Sequence, residues 1–145
     1  MHDPMMEIVW EEAYNLLCGE RIGGGAHRDV YECRIRKDLV VKVESGDYRY
    51  FANIFEQKFW ADNQYDESVK KWLAPTEYLS PDGRILLQKK CDPLPSDYKL
   101  PEKLPAFLTD FKRKNFGLLN GKFVCLDYGI TISNPSTRMI KAEFE

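Results

Sequence analysis

The first half of the chain alternates apolar and polar positions in short runs, as strands separated by turns do. Residues 18–44 contain three such runs, which a glycine-rich turn and an Arg-Lys-Asp sequence separate. Residues 76–90 contain two more, one on each side of a Pro-Asp-Gly turn. A period of two predicts a strand for each run. Because short turns join neighbouring antiparallel strands, the pattern predicts a five-stranded, mainly antiparallel sheet.

Helical spacing of apolar residues occurs on both sides of the first three strands. It predicts a short helix over residues 5–17 and a longer one over residues 48–63. The longer helix carries one predicted apolar stripe, in which aromatic residues recur every four positions: Phe51, Phe55 and Phe59. A further helical piece over residues 67–73 is expected to end before Pro75.

The second half of the chain changes character after the fifth predicted strand. Four prolines in the next fifteen residues exclude a continuous helix there and predict a linker. Residues 106–114 predict a turn or two of helix, and the alternative is one helix that begins near Pro105 and ends at Gly117. Asn120-Gly121 lies between two apolar runs and predicts a two-residue hairpin turn.

The order of strands, helix, strands, linker and hairpin predicts an α+β fold. We expect two parts, the first over residues 1–90 with the sheet and its helices, and the second over residues 91–145 with the linker and the hairpin. The chain of 145 residues is long enough for one compact domain. Its hydrophobic fraction of 43% fits a globular core.

Composition makes several functional classes unexpected. The formal net charge is −2 and no basic block stands out, so nucleic acid is not an expected partner. The four cysteines lack the paired spacing of a zinc site, and we recognise no signal peptide, so we expect reduced thiols and a cytoplasmic location. No apolar run approaches the ~20 residues of a membrane helix. Two histidines leave little material for a hydrolytic triad or a multi-histidine metal site.

A glycine-rich turn and the strand pair after it have the composition of a phosphate-binding site. Gly23 and Gly25 lie in this turn, a few residues before Val30. Glycines let a backbone approach a phosphate without an intervening side chain. In a following strand Val40 and Lys42 share one face, so the lysine is available to phosphates while the valine packs on a base. The alternatives are an ordinary turn and a solvent-facing lysine.

Acidic residues later in the chain supply complementary chemistry. Glu56 lies on the longer predicted helix, where it either pairs with the strand lysine or faces solvent. Asp110 precedes Asn115 by five residues, and Asp127 follows the predicted hairpin. An aspartate that accepts a hydroxyl proton, together with an Asn/Asp pair that holds a hard divalent ion, suits phosphoryl transfer. If residues 105–117 form one helix instead, Asp110 lies solvated on its surface.

Taken in order, these residues resemble the signatures of the protein-kinase-like family. That family carries a glycine-rich loop, a strand lysine, a helix glutamate, a catalytic aspartate with an asparagine five residues later, and an Asp-Phe-Gly sequence. The matching positions here are Gly23, Gly25, Val30, Lys42, Glu56, Asp110, Asn115 and Asp127. Lys112 also matches the lysine that serine/threonine-type kinases carry in the catalytic loop. The resemblance covers residues 18–132.

The resemblance implies a kinase-like fold, with an N-lobe over residues 1–90, a hinge near residues 88–91 and a vestigial second lobe over residues 91–145. It implies ATP and Mg²⁺ as cofactors. The residues expected to contact the nucleotide are Gly23, Gly25, Val30, Val40, Lys42, Gln88, Lys90 and Leu118. Membrane association is not expected.

The family also implies a role for each polar residue of the set. Lys42, oriented by Glu56, is expected to hold the α- and β-phosphates. Asp110, assisted by Lys112, is expected to orient or deprotonate the acceptor hydroxyl. The two metal ligands are expected to be Asn115 and Asp127. The implied activity is phosphoryl transfer to Ser/Thr of a protein substrate, with a small-molecule acceptor as an alternative.

The departures from the family define the rival interpretations. Arg28 stands where the third loop glycine is usual, Leu108 where a histidine is usual, and Tyr128 where a phenylalanine is usual. Sixteen residues follow Gly129, so we do not expect the segments by which the family recognises a peptide in the ordinary way. One alternative is therefore a pseudokinase module that works by docking a partner protein. Another is a small α+β protein whose motif matches are accidental.

Overall fold

The computed structural model describes residues 4–25, 27–44, 51–129 and 135–145. The fold is α+β, with an antiparallel sheet and a few helices. The helices are α1 (Pro4–Leu17), α2 (Ala52–Asn63) and α3 (Glu67–Lys70), and a 3-10 turn spans Arg113–Asn115. The strands are β1 (Cys18–Gly24), β2 (Arg28–Cys33), β3 (Leu39–Glu44), β4 (Thr76–Leu79), β5 (Ile85–Lys89), β6 (Asp92–Pro93), β7 (Lys103–Pro105), β8 (Phe116–Leu119), β9 (Lys122–Cys125) and β10 (Met139–Lys141).

The predicted five-stranded antiparallel sheet is confirmed. Its strand order is β1-β2-β3-β5-β4, so β3 lies at the centre with β2 and β5 on its two sides. The predicted alternation along β3 is also present. One face packs into a buried cluster that contains Leu39, Val41 and Val43. Val40 and Lys42 lie on the opposite face and line a cavity.

The predicted short first helix is confirmed as α1, and it lies beside the start of the sheet. Tyr14 and Leu17, near its C-terminal end, pack against the cluster formed by the sheet. The Tyr14 ring meets Tyr31 of β2 edge-on, with the ring centroids 5.4 Å apart. These contacts lie on the sheet face opposite to Lys42, and no described residue of α1 lines the cavity.

The longer predicted helix is present as α2, but the predicted phenylalanine stripe is wrong as a buried surface. Phe51 and Phe55 are 48% and 50% exposed, whereas Phe59 is buried. The start predicted near residue 48 lies outside the described residues. The buried face of α2 is mostly polar and consists of Ala52, Asn53, Glu56, Phe59 and Asn63. Polar side chains are buried here because their partners on β2, β3 and the 126–128 segment are buried with them.

The hairpin predicted in the second half is confirmed. Strands β8 and β9 are joined at Asn120 and Gly121, whose φ angles are 53° and 79°. Both values lie in the left-handed region that a type I′ turn requires. The strand β6 pairs with β8 and extends the hairpin to three strands. The short strands β7 and β10 form a separate pair.

The two helices proposed for residues 106–114 and residues 105–117 are both wrong. Residues 106–112 form a turn and a loop, and the 3-10 turn at Arg113–Asn115 is the helical part of this stretch. The backbone N–H groups of Ala106 and Phe107 donate to carbonyls of Arg138 and Ser136 at 2.8 and 3.2 Å. These hydrogen bonds hold the start of the stretch against the C-terminal segment.

The second core of the molecule connects the helices to the second half of the chain. It joins α2 and α3 to the linker, the hairpin and the residue after Asp127; its buried members are Phe59, Val69, Leu73, Leu104, Phe107, Leu108, Phe116, Cys125 and Tyr128. This core therefore contains residues from both predicted parts of the chain. Within the described ranges, no helix has both the length and the apolar character needed to cross a bilayer.

Candidate functional site

A cavity of about 610 Å³ lies on the Lys42 face of the sheet. Residues from β1, β2, β3 and β5 line one side, and residues 108–129 contribute to the other. The predicted site residues among its lining are Gly23, Gly25, Val30, Val40, Lys42, Gln88, Lys90, Asp110, Lys112, Asn115 and Asp127. The cavity therefore brings together residues that lie far apart in the sequence.

The predicted pairing between the strand lysine and the helix glutamate is present. Lys42 Nζ lies 2.8 Å from Glu56 Oε2, and the two residues are 4% and 0% exposed. The ammonium of Lys42 also donates to the main-chain carbonyl of Leu126. The alternatives of a solvent-facing lysine and a surface glutamate are thereby excluded. The inward face of β3 and the polar face of α2 produce this contact.

Arg28 is a third member of the site, and the sequence interpretation recorded it only as a departure from the glycine pattern. Its side chain is 7% exposed. Arg28 Nη1 donates to Glu56 Oε2 at 2.8 Å and to Asn53 Oδ1 at 3.1 Å. Arg28 Nη2 donates to Asp127 Oδ1 at 2.8 Å. We refer to Arg28, Lys42, Glu56 and Asp127 as the charge cluster.

Tyr128 holds the carboxylate at the centre of the charge cluster, and Asn53 holds Arg28 beside it. The Tyr128 backbone N–H donates to Glu56 Oε1 at 2.7 Å, and the Tyr128 hydroxyl donates to the Ala74 carbonyl at 2.6 Å. Asn53 is fully buried, and its amide donates to carbonyls of Lys42, Gly83 and Arg84 at 3.1, 3.1 and 2.9 Å. Glu56 accepts hydrogen bonds from Arg28, Lys42 and the Tyr128 backbone, and these three donors keep it ionised and in one position.

The charges of the cluster shift one another's pKa values. Burial raises the pKa of Glu56, but Arg28 and Lys42 outweigh burial and lower it to about 2. Burial lowers the pKa of Arg28, but Glu56 and then Asp127 reverse that effect and raise it above its usual value. Burial lowers the pKa of Lys42, and Glu56 offsets this only in part because Arg28 lowers it too. Glu56 is therefore a carboxylate at neutral pH.

The two predicted metal ligands flank the hairpin in the sequence: Asn115 lies just before β8 and Asp127 lies just after β9. Both therefore lie at its open end, and both line the same cavity. Asn115 is buried, its amide nitrogen donates to the main-chain carbonyl of Asp110 at 3.2 Å, and no donor within the described ranges bonds to its side-chain oxygen. The Asp127 side chain is 52% exposed, and its Oδ1 atom accepts from Arg28. The Leu126 N–H donates to the Asn115 carbonyl at 2.7 Å and ties the two ends together.

Two oxygen-donor side chains are too few to hold a metal ion by themselves, but they are enough for Mg²⁺ that also binds phosphate and water. Magnesium is commonly bound by one or two carboxylates together with substrate phosphates and water. In the described part of the chain, no three His, Cys, Asp or Glu side chains are grouped to hold a metal ion. The donor set of Asn115 and Asp127 therefore fits Mg²⁺ that arrives with a phosphate ligand.

Asp110 and Lys112 lie at the more exposed end of the cavity. Asp110 is half-buried and Lys112 is exposed, and both belong to the loop before the 3-10 turn. The Asn115 N–H donates to the Lys112 carbonyl at 2.9 Å, which closes that turn. Lys114 is exposed and lines the cavity as well. Asp110 thus faces a cavity rather than lying on a helix surface.

The predicted nucleotide contacts need one correction. Leu118 does not line the cavity, because it lies two residues further along β8 towards the hairpin turn and pairs with Asp92. Phe116, at the start of the same strand, lines the cavity instead, as does Leu126. Two residues of a strand span roughly 7 Å, so the hairpin direction decides between the two positions.

Two other predicted contacts lie at the edge of the cavity near the end of β5. Gln88 is 1% exposed, and its amide donates to the Ala74 carbonyl at 3.3 Å. The Lys90 ammonium pairs with Glu32 at 2.9 Å, so its charge already has a partner. We therefore assign the Lys90 side chain a structural ion pair and no established ligand contact.

The glycine-rich turn forms the mouth of the cavity beside β2. Gly23 pairs with Val30 across the β1–β2 ladder, and both line the cavity. Gly25 closes the turn, and its N–H donates to the Arg28 carbonyl at 2.9 Å. A Cβ atom added to Gly25 would meet nothing within 4 Å, so this glycine borders open space.

Another glycine explains how Asp127 is held close to α2. A Cβ atom on Gly129 would lie 2.7 Å from the Ala52 carbonyl oxygen, which is too close for any side chain. Gly129 therefore lets the chain after Asp127 pass directly beside the first residue of α2. The same close approach brings Tyr128 within hydrogen-bond reach of Glu56.

Sequence interpretation missed Arg28, Asn53 and Tyr128 as members of the site. Arg28 and Tyr128 were visible as replacements within otherwise matching motifs, which was the available signal. For Asn53 no local signal existed, because its partners come from β3 and from the turn before β5. No protein-family model matches this chain, and no curated protein matches it.

Proposed function

We propose that this chain is an ATP- and Mg²⁺-dependent phosphotransferase of the protein-kinase-like type. The supporting observation is that one cavity collects a lysine paired with a buried glutamate, an Asn/Asp pair and a further aspartate from four separate segments. These groups correspond to phosphate binding, metal binding and proton acceptance, which phosphoryl transfer requires together.

The cavity has the size and the chemistry that this reaction needs. Its volume of about 610 Å³ lies within the usual range for small-molecule sites. Val30 and Val40 provide an apolar surface for a base, and the glycine-rich turn exposes backbone near the phosphate end. In this proposal Lys42, held by Glu56, binds phosphate oxygens. Mg²⁺, held by Asn115 and Asp127, would neutralise charge on the transferring group.

Asp110 has the position expected of the group that handles the acceptor hydroxyl. It lines the same cavity as Asn115 and Asp127 but makes no side-chain contact with the charge cluster among the described residues. A carboxylate in that position accepts the hydroxyl proton as the phosphoryl group is transferred. We propose Ser/Thr of a protein as the acceptor and a cytoplasmic location for the reaction. A small molecule with a hydroxyl group is the alternative acceptor.

A specific observation favours a second candidate function. Arg28 forms an ion pair with Asp127, one of the two proposed metal ligands. A protein that keeps this pair permanently would bind metal poorly and would act as a pseudokinase module that docks a partner protein. The two functions differ in whether phosphate is transferred at all.

Labelled ATP separates the two functions. The protein is incubated with γ-labelled ATP and Mg²⁺, alone and with a cell extract, and phosphate transfer is measured beside ATP affinity. Asp110→Asn is expected to lower the rate by about 10²–10⁴ while ATP affinity is retained, because it removes only the proton acceptor. Asp127→Ala is expected to weaken both, because it removes a metal ligand.

The matched control is Asp97→Asn, an exposed aspartate of the linker that does not line the cavity. It is expected to behave as the wild type in both measurements. Normal turnover in Asp110→Asn would refute the catalytic assignment. ATP binding without any transfer in the wild type would favour the docking module.

A further inference from the structure

Arg28 is buried between two carboxylates that the proposed function assigns to different tasks. Glu56 holds the phosphate-binding lysine, and Asp127 is a proposed metal ligand. The guanidinium contacts both, at 2.8 Å each. A surface arginine with one partner would be unremarkable as a salt bridge. Arg28 is 7% exposed and connects two carboxylates beside the cavity. Burial of a charge is costly unless its partners compensate for it, so we ask what this arginine does.

The two ends of the guanidinium are held differently. Nη1 donates to both Glu56 and Asn53, which are fully buried on α2. Nη2 donates at 2.8 Å to Asp127, whose side chain is 52% exposed, and only at 3.4 Å to Glu56. The Asp127 contact is therefore the one that a ligand entering the cavity reaches. If it breaks, Nη1 still keeps the arginine in the cavity.

The carboxylates around Arg28 outnumber the buried cations beside them. Three carboxylates surround the two buried cations, since Glu44 lies across the β2–β3 ladder from Arg28 and joins Glu56 and Asp127. Glu44 is buried, and one of its oxygens has no hydrogen-bond partner among the described residues. A divalent cation on Asp127 would thus enter a region with an excess of negative charge, where the competing positive group is the Nη2 end of Arg28.

We propose that Arg28 is a counter-ion for Asp127 in the nucleotide-free protein and a phosphate ligand in the loaded one. This inference rests on the proposed function, because it concerns the same cavity. A divalent cation on Asp127 weakens the Nη2 contact, because the two positive groups compete for one carboxylate and repel each other. The released donors line a cavity already suited to phosphates, and the planar guanidinium binds phosphate oxygens in pairs. Arg28 would then replace the backbone contact that a third loop glycine allows.

The inference makes two predictions of opposite sign for Arg28→Met. Nucleotide-free protein is expected to bind Mn²⁺, measured by electron paramagnetic resonance, about tenfold more tightly, because Asp127 has lost its competitor. ATP in the presence of EDTA, measured by calorimetry, is expected to bind about tenfold more weakly or worse, because a charged donor to phosphate is missing. The ratio of ATP affinity with Mg²⁺ to ATP affinity without it therefore rises.

Two further variants keep the experiment decisive. Arg21→Met is the matched control, because Arg21 lies on the same hairpin and pairs with Asp29 while its side chain is 56% exposed. It is expected to leave both affinities unchanged. Arg28→Lys keeps the charge beside Glu56, but one ammonium lacks the two-ended reach of the guanidinium. It is expected to raise Mn²⁺ affinity as well, and it decides the matter if Arg28→Met does not fold.

Each outcome has one meaning. A rise in Mn²⁺ affinity with a fall in metal-free ATP affinity supports the inference. If Mn²⁺ affinity and metal-free ATP affinity both rise, Arg28 only blocks the site. If both affinities fall or neither changes, Arg28 is only structural. Either result overturns the inference. If the wild type binds no ATP under any condition, the proposed function itself fails. Wild-type ATP binding that Arg28→Met leaves unaltered defeats the Arg28 inference alone.

Discussion

The charge cluster and the loop that carries Asp110 contribute to the same cavity, but they differ in how firmly the fold holds them. Lys42 and Glu56 are 4% and 0% exposed and are tied to strands, helix and backbone. Asp110 is half-buried in a loop, and Lys112 beside it is exposed. The comparison indicates that the charge cluster contributes to the stability of the fold, whereas a substitution at Asp110 should cost little stability.

The largest expected effect is on stability, and it follows from a substitution in the buried charge cluster. Glu56→Ala leaves Lys42 and Arg28 buried without their shared carboxylate and is expected to lower the free energy of unfolding by about 3–5 kcal/mol. Urea denaturation measures it. The control is Glu67→Ala on α3, where the side chain is 80% exposed and the change is expected to stay within about 0.5 kcal/mol. Equal effects for the two variants would show that the cluster is no more important to folding than the surface.

The pH dependence of stability tests the charge of Glu56 in the same cluster. The folded pKa of Glu56 lies near 2, below the ordinary 4.5, so its ionised form stabilises the folded state above pH 4.5. This contribution, about 3 kcal/mol, is lost as pH falls from 4.5 towards 2. The stability difference between wild type and Glu56→Gln should therefore shrink over that interval. A difference that stays constant with pH would contradict the lowered pKa.

Ligand-induced stabilisation compares the two regions directly. At 100 times its dissociation constant, ATP with Mg²⁺ should stabilise the wild type by about 2.7 kcal/mol, because it binds only the folded state. Asp110→Asn is expected to keep this increase, and Lys42→Met is expected to lose most of it. Thermal unfolding with and without nucleotide measures both. Loss of the increase in Asp110→Asn would mean that Asp110 contacts the nucleotide or its metal.

The smallest expected effect concerns the hairpin that connects Asn115 to Asp127. Gly121 has φ of 79°, so Gly121→Ala is expected to cost about 1–2 kcal/mol in unfolding free energy. Gly25→Ala is the matched control, because the added Cβ meets nothing within 4 Å and its φ is not positive. Calorimetric melting of both variants is the measurement. A larger loss for Gly25→Ala would reverse the ranking of the two turns.

The local patterns of the sequence determined most of the secondary structure. Alternating residues gave the five strands, Asn120-Gly121 gave the hairpin, and face-sharing of Val40 with Lys42 gave the inward lysine. These features depend on residues within a few positions of one another, so the chain itself carries the information. The order of the motifs also predicted which polar residues line one cavity, although their chemical roles stay predictions.

Tertiary structure alone decided the features that depend on distant partners. The start of the 106–114 stretch is held against the C-terminal segment by hydrogen bonds from Ala106 and Phe107, which are contacts with residues about thirty positions away. Phe51 and Phe55 are exposed, whereas Asn53 and Glu56 are buried, because the face of α2 turned inward meets charged partners. Arg28 joins the site because Glu56 and Asp127, 28 and 99 residues away, hold its two ends. Such contacts follow from long-range packing, which no local period of apolar residues encodes.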